Sequence, residues 1–546
     1  MKIISVVVAF LLLAGRCDKS AQSFSQRTIS RPELSVSAVP LLIEQEQNDL
    51  INLRFSLNGP DEDLAVEKIV IVFTDDSDVA SLASVSAWYM DLASDTLKRV
   101  LFAASAKPAR KTRLTGRVHI SSGRNECVIG LKARPDADLM SIIGIKSVNI
   151  LFSDHSIKKI TVRGTDTRIR FGRVLRQAGQ DRCNTYRIPG LITTNAGTLI
   201  AVYDNRYNSS KDLQEDIDIG MSRSTDRGQT WEPMKVLMDM GEYGGRSEQL
   251  NGTGDPCVLY DPNTNTIWVA ALWMSGSAPD KMLWWDSQPG MTPEETGQFM
   301  LVKSTDDGVT WSEPLNITRQ IKNPEWQLLL QGPGRGITLD DGTLVFPAQY
   351  KEDIGLKALD GGQYTCHSTI IWSSDGGNNW HIGTGAKSNT TEAQVVQLSD
   401  GSLMLNMRDD RNRTDKSVSN GRAVAVTTDL GRTWTVHPSS NSALPEPNCM
   451  ASLISAELNI GGAQKKVLFF SNPNDKSERI RMTIKTSFDE GLTWPEINWL
   501  ELYGPSCYGY SCMTMIDNKT IGIVYEGTKD LIFQKIPVSV LIKGRP

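Results

Sequence analysis

The sequence predicts an all-β chain in which a β-sandwich precedes a six-bladed β-propeller. Short runs of alternating apolar and polar residues, typical of half-buried strands, occupy the first part of the chain. An eight-residue motif with the composition of a tight turn recurs five times in the remainder. Helical periodicity is scarce, so a doubly wound sheet or a helical solenoid fits the pattern less well.

Composition excludes two broad classes of protein. The 546 residues include 58 Lys and Arg against 63 Asp and Glu, which gives a formal net charge of −5. This balance excludes a strongly basic nucleic-acid-binding protein, so nucleic acid is not an expected partner. A hydrophobic content of 40% excludes a disordered chain.

No motif for a metal or a nucleotide is found. The five histidines form no pair at helical spacing and no zinc motif, so we expect neither a metal nor a cofactor. The segment Gly332–Gly336 (GPGRG) has the glycines of a fragment of a dinucleotide loop. Its third glycine is misplaced and Pro333 does not open a helix there, so we predict an ordinary loop.

The N-terminus has the features of an export signal. Lys2 precedes twelve uncharged residues, Ile3 to Ala14, and a bilayer-spanning helix needs about 20. We therefore predict a signal peptide over residues 1–21, no membrane span, and an exported protein (periplasmic, cell-surface or secreted). A buried strand or helix is the alternative interpretation of this segment. A lipid anchor at Cys17 also stays open, although a lipidation signal places the Cys directly after small residues and Arg16 here separates Cys17 from Ala14-Gly15.

Residues 22–165 are predicted to form the β-sandwich. Ile51, Leu53, Phe55 and Leu57 alternate with polar residues, and later short apolar runs are separated by polar turns. Charged and turn residues gather between 154 and 180, which places the domain boundary at 165–171. Carbohydrate binding and mechanical support of the second domain are equally open roles for this domain.

The five-fold repeat predicts the architecture of residues 171–546. Its pattern is S/T-x-D-x-G-x-T/N-W, and its copies begin 80, 69, 54 and 60 residues apart. A hydroxyl, a carboxylate and a glycine at these positions favour a hairpin turn, which the Trp anchors to the core. Four short strands fit each interval, so six blades of about 62 residues are expected. The copies are Ser224–Trp231, Ser304–Trp311, Ser373–Trp380, Thr427–Trp434 and Ser487–Trp494.

Functional residues are expected outside the repeat, because a single site needs residues that the blades do not share. The repeated Asp residues are therefore interpreted as structural. Arg187, Arg408 and Arg479 adjoin apolar runs in three different predicted blades. Guanidinium groups pair bidentately with carboxylates, so a shared anion is one interpretation and ordinary surface arginines are the other.

The tripeptide Arg187-Ile-Pro ahead of five such turns resembles the exo-α-sialidase (neuraminidase) family, in which the turns are known as Asp boxes. It is most similar to exported bacterial sialidases that carry an N-terminal β-sandwich. The resemblance covers residues 170–546 strongly and the first domain more weakly. It implies hydrolysis of terminal α-linked sialic acids from glycoproteins, glycolipids and oligosaccharides, with retention through a tyrosyl intermediate.

The resemblance also implies roles for eight residues. Arg187, Arg408 and Arg479 match the family's arginine triad, although Arg481 is an alternative to the third member. Tyr510 in Gly509-Tyr-Ser-Cys512 matches the nucleophile, Glu392 its partner, and Asp212 the acid/base residue. Arg206 and Asp255 match residues that contact the substituent at the 4-position of the sugar, and Trp284-Trp285 are candidates for the N-acetyl pocket.

The chemistry explains why a tyrosine suits this substrate. Sialic acid carries a carboxylate on its anomeric carbon, so a carboxylate nucleophile would bring two anions together. A phenol avoids that repulsion, but its pKa near 10 requires a base such as Glu392. Asp212 must protonate the leaving oxygen and therefore needs a raised pKa. Sialylated glycans are the expected partners, and a monomer is expected; a sialoside-binding lectin without turnover and a trans-sialidase are the alternatives.

Overall fold

The computed structural model describes residues 28–59, 63–91, 98–162, 168–212, 215–278, 281, 283–355 and 357–543. The predicted signal peptide, residues 1–21, lies outside them, as do residues 163–167 beside the predicted domain boundary. The prediction of an all-β chain is confirmed, because the α-helices among the described residues are only Leu283–Asp286 and Thr318–Ile321. No helix in these ranges is long and apolar enough to cross a membrane.

Residues before 177 form two sheets with one common apolar cluster. The predicted alternation is confirmed, since Ile51, Leu53, Phe55 and Leu57 are all buried on one strand. One sheet contains Thr28–Ile29, Glu33–Val36, Asn48–Asn58, Leu82–Asp91, Lys98–Ser105 and Gly123–Ala133. The other contains Leu41–Leu42, Ala65–Phe73, Lys111–His119, Ile142–Phe152, Ile157–Thr161 and Arg168–Arg176.

Five further sheets and a three-stranded extension of the second N-terminal sheet follow one another along the chain, and we number these six units as sheets one to six in chain order. Sheet one contains Thr185–Thr193, Leu199–Arg206, Ile217–Ser224 and Lys235–Met238. Sheet two contains Asn251–Asp261, Thr266–Ser275, Gln298–Ser304, Leu315–Asn316 and Gly334–Arg335. Sheet three contains Leu328–Gln331, Ile337–Thr338, Leu344–Glu352, Thr365–Ser373, His381–Ile382 and Lys387–Ser388; sheet four Thr390–Gln397, Leu403–Asp409, Ala423–Thr427 and Thr435–Val436. Sheet five contains Ser452–Ile460, Ala463–Pro473, Met482–Ser487 and Leu500–Tyr503; sheet six Ser511–Asp517, Thr520–Glu526 and Leu531–Pro537.

Contacts pass from each of these sheets to the next, mainly through the first strand of each sheet, and return from the sixth to the first. Strand Arg168–Arg176 provides a fourth strand for sheet six, because Arg173 and Val174 pair with Phe533 and Ile532. The same strand pairs with Ile142–Gly144 of the N-terminal part. One continuous sheet therefore joins both parts of the chain.

The repeated octets form tight turns with shared hydrogen bonds. In the first copy, the Ser224 hydroxyl donates to Asp226 and accepts from the Gly228 amide, both at 2.8 Å. Asp226 also accepts from the amide and hydroxyl of Thr230 at 2.8 and 2.6 Å. Gly228 has φ +83°, which a residue with a Cβ adopts only with strain. The hydroxyls, the carboxylate and the backbone amides of this turn thus satisfy one another within eight residues.

Candidate active site

Three of the predicted arginines surround the side chain of Tyr510. Arg187 lies on the first strand of sheet one, Arg408 on the second strand of sheet four, and Arg479 three residues before a strand of sheet five. The guanidinium carbons of Arg187 and Arg479 lie 5.5 and 5.8 Å from the Tyr510 ring centre. Arg408 Nη1 lies 3.3 Å from the Tyr510 hydroxyl oxygen. Elements far apart in sequence thus place three cations around one phenol.

The alternative third arginine, Arg481, lies elsewhere. Its side chain is 51% exposed, and its Nε lies 3.2 Å from Glu501 Oε2. The Arg479 side chain instead donates to the main-chain oxygens of Tyr508 at 2.9 Å and Asn448 at 3.3 Å. Arg479 is therefore the arginine that the structure brings to Tyr510.

A buried carboxylate, Glu526, fixes Arg187 against the tyrosine backbone. Its Oε1 accepts from Arg187 Nε at 2.6 Å and from the Ile188 amide at 2.8 Å, and its Oε2 accepts from the Tyr510 amide at 2.9 Å. Ile188 has φ +58°, an unfavourable conformation for a β-branched residue. The hydrogen bond to Glu526 holds this strained backbone in place, so the Arg187 side chain is fixed before any ligand binds.

Tyr510 and Glu392 form the central pair of the site. The Tyr510 hydroxyl donates to Glu392 Oε1, while Glu392 Oε2 accepts from Arg408 Nη1 at 2.7 Å. Burial and then the charge of Glu392 raise the pKa of Tyr510 well above its ordinary value, against the opposing effect of Arg408 and Arg479. The resting phenol is therefore neutral, and its proton already points at the carboxylate that can accept it.

Asp212 lies across the site on an exposed loop. Its side chain is 62% exposed, and its Oδ1 lies 2.5 Å from Arg206 Nη2 and 4.0 Å from Arg187 Nη1. Burial of the carboxyl acts to raise its pKa, but Arg206 and Arg187 outweigh this and hold the pKa below the ordinary value. The raised pKa expected for an acid catalyst is therefore absent from the unliganded site.

Arg206 links Asp212 to two buried carboxyl groups. It is fully buried and donates to Asp204 Oδ2 from Nε at 3.1 Å and from Nη2 at 2.7 Å. Asp204 Oδ1 accepts from the Asp255 amide at 2.9 Å. Burial raises the pKa of Asp204 to about 6, and burial together with Asp204 and Asp212 raises the pKa of Asp255 well above its usual range. Asp255 is thus suited to hydrogen-bond a ligand as a protonated carboxyl group.

Several of these side chains border one cavity of about 240 Å³, whereas the predicted Arg187, Arg206 and Arg479 are not in its lining. The predicted residues in its lining are Asp212, Asp255, Trp284, Trp285, Glu392, Arg408 and Tyr510, and the remainder are Gln349, Asp360, Thr391 and Arg413. Among the described residues, no cluster of three or more His, Cys, Asp or Glu side chains could hold a metal ion.

One wall of the cavity rests on a buried ion pair. Lys351 is fully buried, and its Nζ lies 3.1 Å from Asp360 Oδ2. The same ammonium lies 4.6 and 4.7 Å from the ring centres of Trp284 and Trp285. A cation at this distance attracts an aromatic face, so Lys351 orients both indoles toward the cavity.

The sequence reasoning missed the supporting residues Glu526, Asn448, Asp204, Lys351 and Asp360. Each acts on a predicted residue; for example, Asn448 Oδ1 accepts from Arg408 Nη2 at 2.9 Å. A mainly apolar run that ends in charge, as at Lys351 in Leu344–Glu352 and at Glu526 in Thr520–Glu526, was the available signal. No such pattern marks Asn448, which lies in a loop.

Comparison with known proteins agrees with this arrangement. A family model described as a BNR repeat-like domain matches residues 197–524. A sialidase of Bacteroides fragilis is 40% identical over 534 residues, which cover 92% of this chain and 94% of the relative. The chain belongs to the sialidase family.

Two other sialidases extend the comparison. A sialidase of Clostridium perfringens is 30% identical over 64% of this chain and 88% of its own length. Among solved structures, the Hadza microbial sialidase Hz136 matches with a TM-score of 0.82 at 40% identity, covering 93% of this chain and 100% of that chain. Because this sialidase fold is matched over nearly the whole chain, the similarity includes the N-terminal sheets as well as the cavity-bearing part.

Proposed function

We propose that this protein is an exo-α-sialidase that hydrolyses terminal α-linked sialic acids from glycoproteins, glycolipids and oligosaccharides with retention of configuration. The observation that carries the proposal is the hydrogen-bonded pair of Tyr510 and Glu392 within a ring of three arginines. A lectin would need the arginines but not an activated phenol.

The first step is capture of the substrate carboxylate. Arg187, Arg408 and Arg479 converge on the space beside the Tyr510 ring, and their charges favour one carboxylate over a neutral sugar. As the family resemblance implies, Arg206 and Asp255 would contact the substituent at the 4-position of the bound sugar, and Trp284 and Trp285 would contact its N-acetyl group. Such an orientation would bring the anomeric carbon to the Tyr510 hydroxyl.

The chemical steps follow from the positions of three groups. Glu392 accepts the Tyr510 proton as the phenol oxygen attacks the anomeric carbon, while Asp212 donates a proton to the departing glycosidic oxygen. Asp212 then takes a proton from water, the water oxygen attacks the same carbon, and Tyr510 leaves with the proton that Glu392 returns. Two inversions give retention.

The acid role of Asp212 requires its pKa to rise on substrate binding. The substrate carboxylate would neutralise the charge of Arg187, and the covering substrate would shield the loop from water. Both effects disfavour the ionised form of Asp212, so they raise its pKa, which is lowered in the unliganded site.

We also propose that the six sheets are the blades of a propeller with Asp-box turns. Sheets that follow one another in the chain contact in sequence and return to the first, and strand Arg168–Arg176 completes the sixth. The arginines come from three different sheets and meet around Tyr510, as expected where blades converge. An export signal at residues 1–21 would deliver the enzyme to sialylated glycans outside the cytoplasm, which N-terminal sequencing of the mature protein would test.

Hydrolysis of sialyllactose tests the function. We expect free sialic acid from the wild-type protein and none from Tyr510→Phe, which keeps the ring but lacks the nucleophilic oxygen. A fluorinated sialic acid analogue should label the wild type covalently at Tyr510. If the protein releases no sialic acid between pH 4 and 8, it is not a hydrolase and the sialoside-binding lectin becomes the supported function. If it transfers sialic acid to added lactose in place of hydrolysis, it is a trans-sialidase.

A further inference from the structure

The segment Gly332–Gly336, which the sequence predicts to be an ordinary loop, is built into the sheets. Gly334–Arg335 pairs in parallel with Cys257–Val258 of sheet two, and it interrupts the first strand of sheet three. Gly334 has φ +102°, and a Cβ at Gly336 would lie 2.6 Å from the Val345 oxygen. Glycine is therefore needed at both positions, and the result is a fixed placement of Arg335 between the first strands of the sheets.

The Arg335 guanidinium lacks a counter-ion. It donates weakly to the Gly336 oxygen at 3.5 Å, the Met513 oxygen at 3.3 Å and the Thr514 hydroxyl at 3.5 Å. Within the described ranges, no carboxylate lies at ion-pair distance from it. Burial lowers its pKa, but an arginine stays charged in proteins. Arg335 is partly buried, and a cation there whose protein partners are only weak, neutral acceptors favours an anionic ligand.

Arg335 borders a second cavity of about 290 Å³. The cavity lies at the far ends of the strands that carry the candidate active site: Thr193 ends the strand of Arg187, and Gln397 ends the strand of Glu392. It is therefore a separate opening at the opposite face of the six sheets. Its lining includes Thr193, Arg335, Asp340, Gln397, Ser455 and Lys466.

The polar groups of this cavity suit a small anion. Lys466 adds a second cation, which donates to the Gln397 and Leu398 oxygens and lies 3.8 Å from Glu457. Thr193 and Ser455 supply hydroxyls, and Asp340 is exposed at the rim. A guanidinium fork beside hydroxyl donors is the arrangement that binds tetrahedral oxyanions.

We propose that this cavity is a binding site for a small oxyanion of the sulfate or phosphate class, held by the Arg335 guanidinium. The bound anion compensates the partly buried charge where strands of sheets two, three and six meet. Because the anion binds only the folded chain, it stabilises that chain by RT ln(1 + L/Kd), which rises with the anion concentration L. The proposal does not depend on catalysis at the other face.

Selenate, an isostere of sulfate with a strong anomalous signal, tests the site directly. Crystals of the full-length protein soaked in selenate should show an anomalous peak at hydrogen-bond distance from Arg335. A second peak among the active-site arginines is compatible with the proposal, because the two positions are distinguished by their location. A soaked crystal without a peak at Arg335 would overturn it.

A solution measurement supplies the affinity. Thermal melting in phosphate is compared with melting in NaCl of equal ionic strength, which removes general salt effects. Arg335→Gln should weaken the phosphate affinity obtained from the shift at least about tenfold and so reduce the shift at a given phosphate concentration, since hydrogen bonds to a charged group are lost. Arg479→Gln, which weakens any anion site at the other face, should retain the shift. Equal shifts in wild type and Arg335→Gln would refute the proposal.

A second variant covers the case in which Arg335→Gln does not fold. Ser455→Leu leaves Arg335 in place but fills the cavity with an apolar side chain. We expect it to abolish both the selenate peak and the phosphate-dependent shift. Persistence of either in this variant would place the anion elsewhere.

Discussion

At the scale of single residues, Glu526 is the group on which the arginine and the tyrosine both depend. It has no exposed surface, and its two oxygens accept from Arg187 Nε and from the amides of Ile188 and Tyr510. One carboxylate thus sets the position of a proposed substrate-binding group and of the proposed nucleophile. Its role is positioning, because it does not border the cavity.

Glu526→Gln should therefore impair both stability and activity. The NH₂ group of glutamine would face either the Tyr510 amide or the Arg187 guanidinium, both of which are donors. The buried guanidinium of Arg187 would also lose its counter-charge. We expect the free energy of unfolding to fall by about 3 kcal/mol and kcat/KM on sialyllactose to fall at least about tenfold. Urea unfolding and kinetics on folded protein measure the two effects separately.

Asp261→Asn is the matched control for that variant. Asp261 is also buried, but it ends the strand Asn251–Asp261, six residues after the cavity-lining Asp255. There it accepts hydrogen bonds from the Asn263 amide and the Thr264 hydroxyl in a turn. Its loss should reduce stability while kcat/KM per folded molecule stays unchanged. If both variants lost activity equally, Glu526 would have only a structural role.

The ion pair of Asp212 predicts the pH dependence of the reaction. Arg206 and Arg187 outweigh burial and hold the Asp212 pKa below its ordinary value, so the free enzyme carries an ionised Asp212 at neutral pH. An acid catalyst must be protonated, so kcat/KM for a natural glycoside should decline as pH rises toward neutrality. Asp212→Ala should lose activity on sialyllactose but retain much of it on an aryl sialoside, whose phenolate leaves without protonation.

The pH profile of Asp212→Ala on the aryl substrate provides the check. The decline toward neutral pH should flatten, because the group that causes it is gone. Equal loss on both substrates, or an unchanged profile, would assign the acid role to another residue.

The sequence predicts the residues gathered around Tyr510 better than those that support them. Arg187, Glu392, Arg408, Arg479 and Tyr510 stand in local patterns and converge in the structure. Their supporting partners come from distant positions: Glu526 lies 339 residues from Arg187. Such pairings depend on how the sheets meet, which no local pattern contains. The low pKa of Asp212 was likewise unpredictable, because it arises from two arginines on neighbouring strands.

At the scale of elements, the octet turns are self-contained units whose carboxylates act through hydrogen bonds. The Thr433 amide and hydroxyl and the Thr427 hydroxyl lower the pKa of Asp429 to about 2, and Asp306 and Asp375 behave alike. A carboxyl whose pKa is lowered on folding stabilises the fold above its unfolded pKa, near 3.8, and loses that contribution as pH falls toward 2. The octet carboxylates should therefore contribute to the loss of folding stability at acid pH.

Asp226→Asn tests this contribution. An amide keeps one acceptor, but its NH₂ group faces the Thr230 donors, so we expect a loss of about 1 kcal/mol in the free energy of unfolding at pH 7. The difference from wild type should shrink below pH 4, and kcat/KM per folded molecule should not change. Glu313→Gln, an exposed carboxylate without a side-chain partner, is the control and should match wild type. An equal loss in both variants would contradict a specific role of the turn.

Element prediction succeeded where strands are regular and failed where they are broken. Alternation located Asn48–Asn58, because one buried face dictates a period of two. The short pairing of Gly334–Arg335 was missed, since two residues between glycines carry no periodicity and pair only with a neighbouring sheet. The octets differ from both cases, because the hydrogen bonds of the first copy are local and join groups within eight residues.

At the scale of the whole molecule, the two parts of the chain share a sheet and a core. Strand Arg168–Arg176 pairs on one side with Ile142–Gly144 and on the other with Leu531–Phe533. One apolar cluster extends from Phe73 in the N-terminal sheets through Phe171 to Tyr186 and Phe533 beside the six-sheet part. Unfolding the N-terminal sheets would expose the strand that completes sheet six. The two parts should therefore unfold together, although each has the size of a domain.

Phe73→Ala tests this coupling. Phe73 is fully buried in the N-terminal sheets, and removing its ring should lower the free energy of unfolding by about 3–4 kcal/mol. Because the core is continuous, the temperature at which sialidase activity is lost should fall by the same amount as the melting temperature seen by circular dichroism. Leu101→Ala, at a half-exposed position of the same sheets, should change neither. Activity that survives above the melting of the N-terminal sheets in Phe73→Ala would show that the six sheets hold the active site together without them.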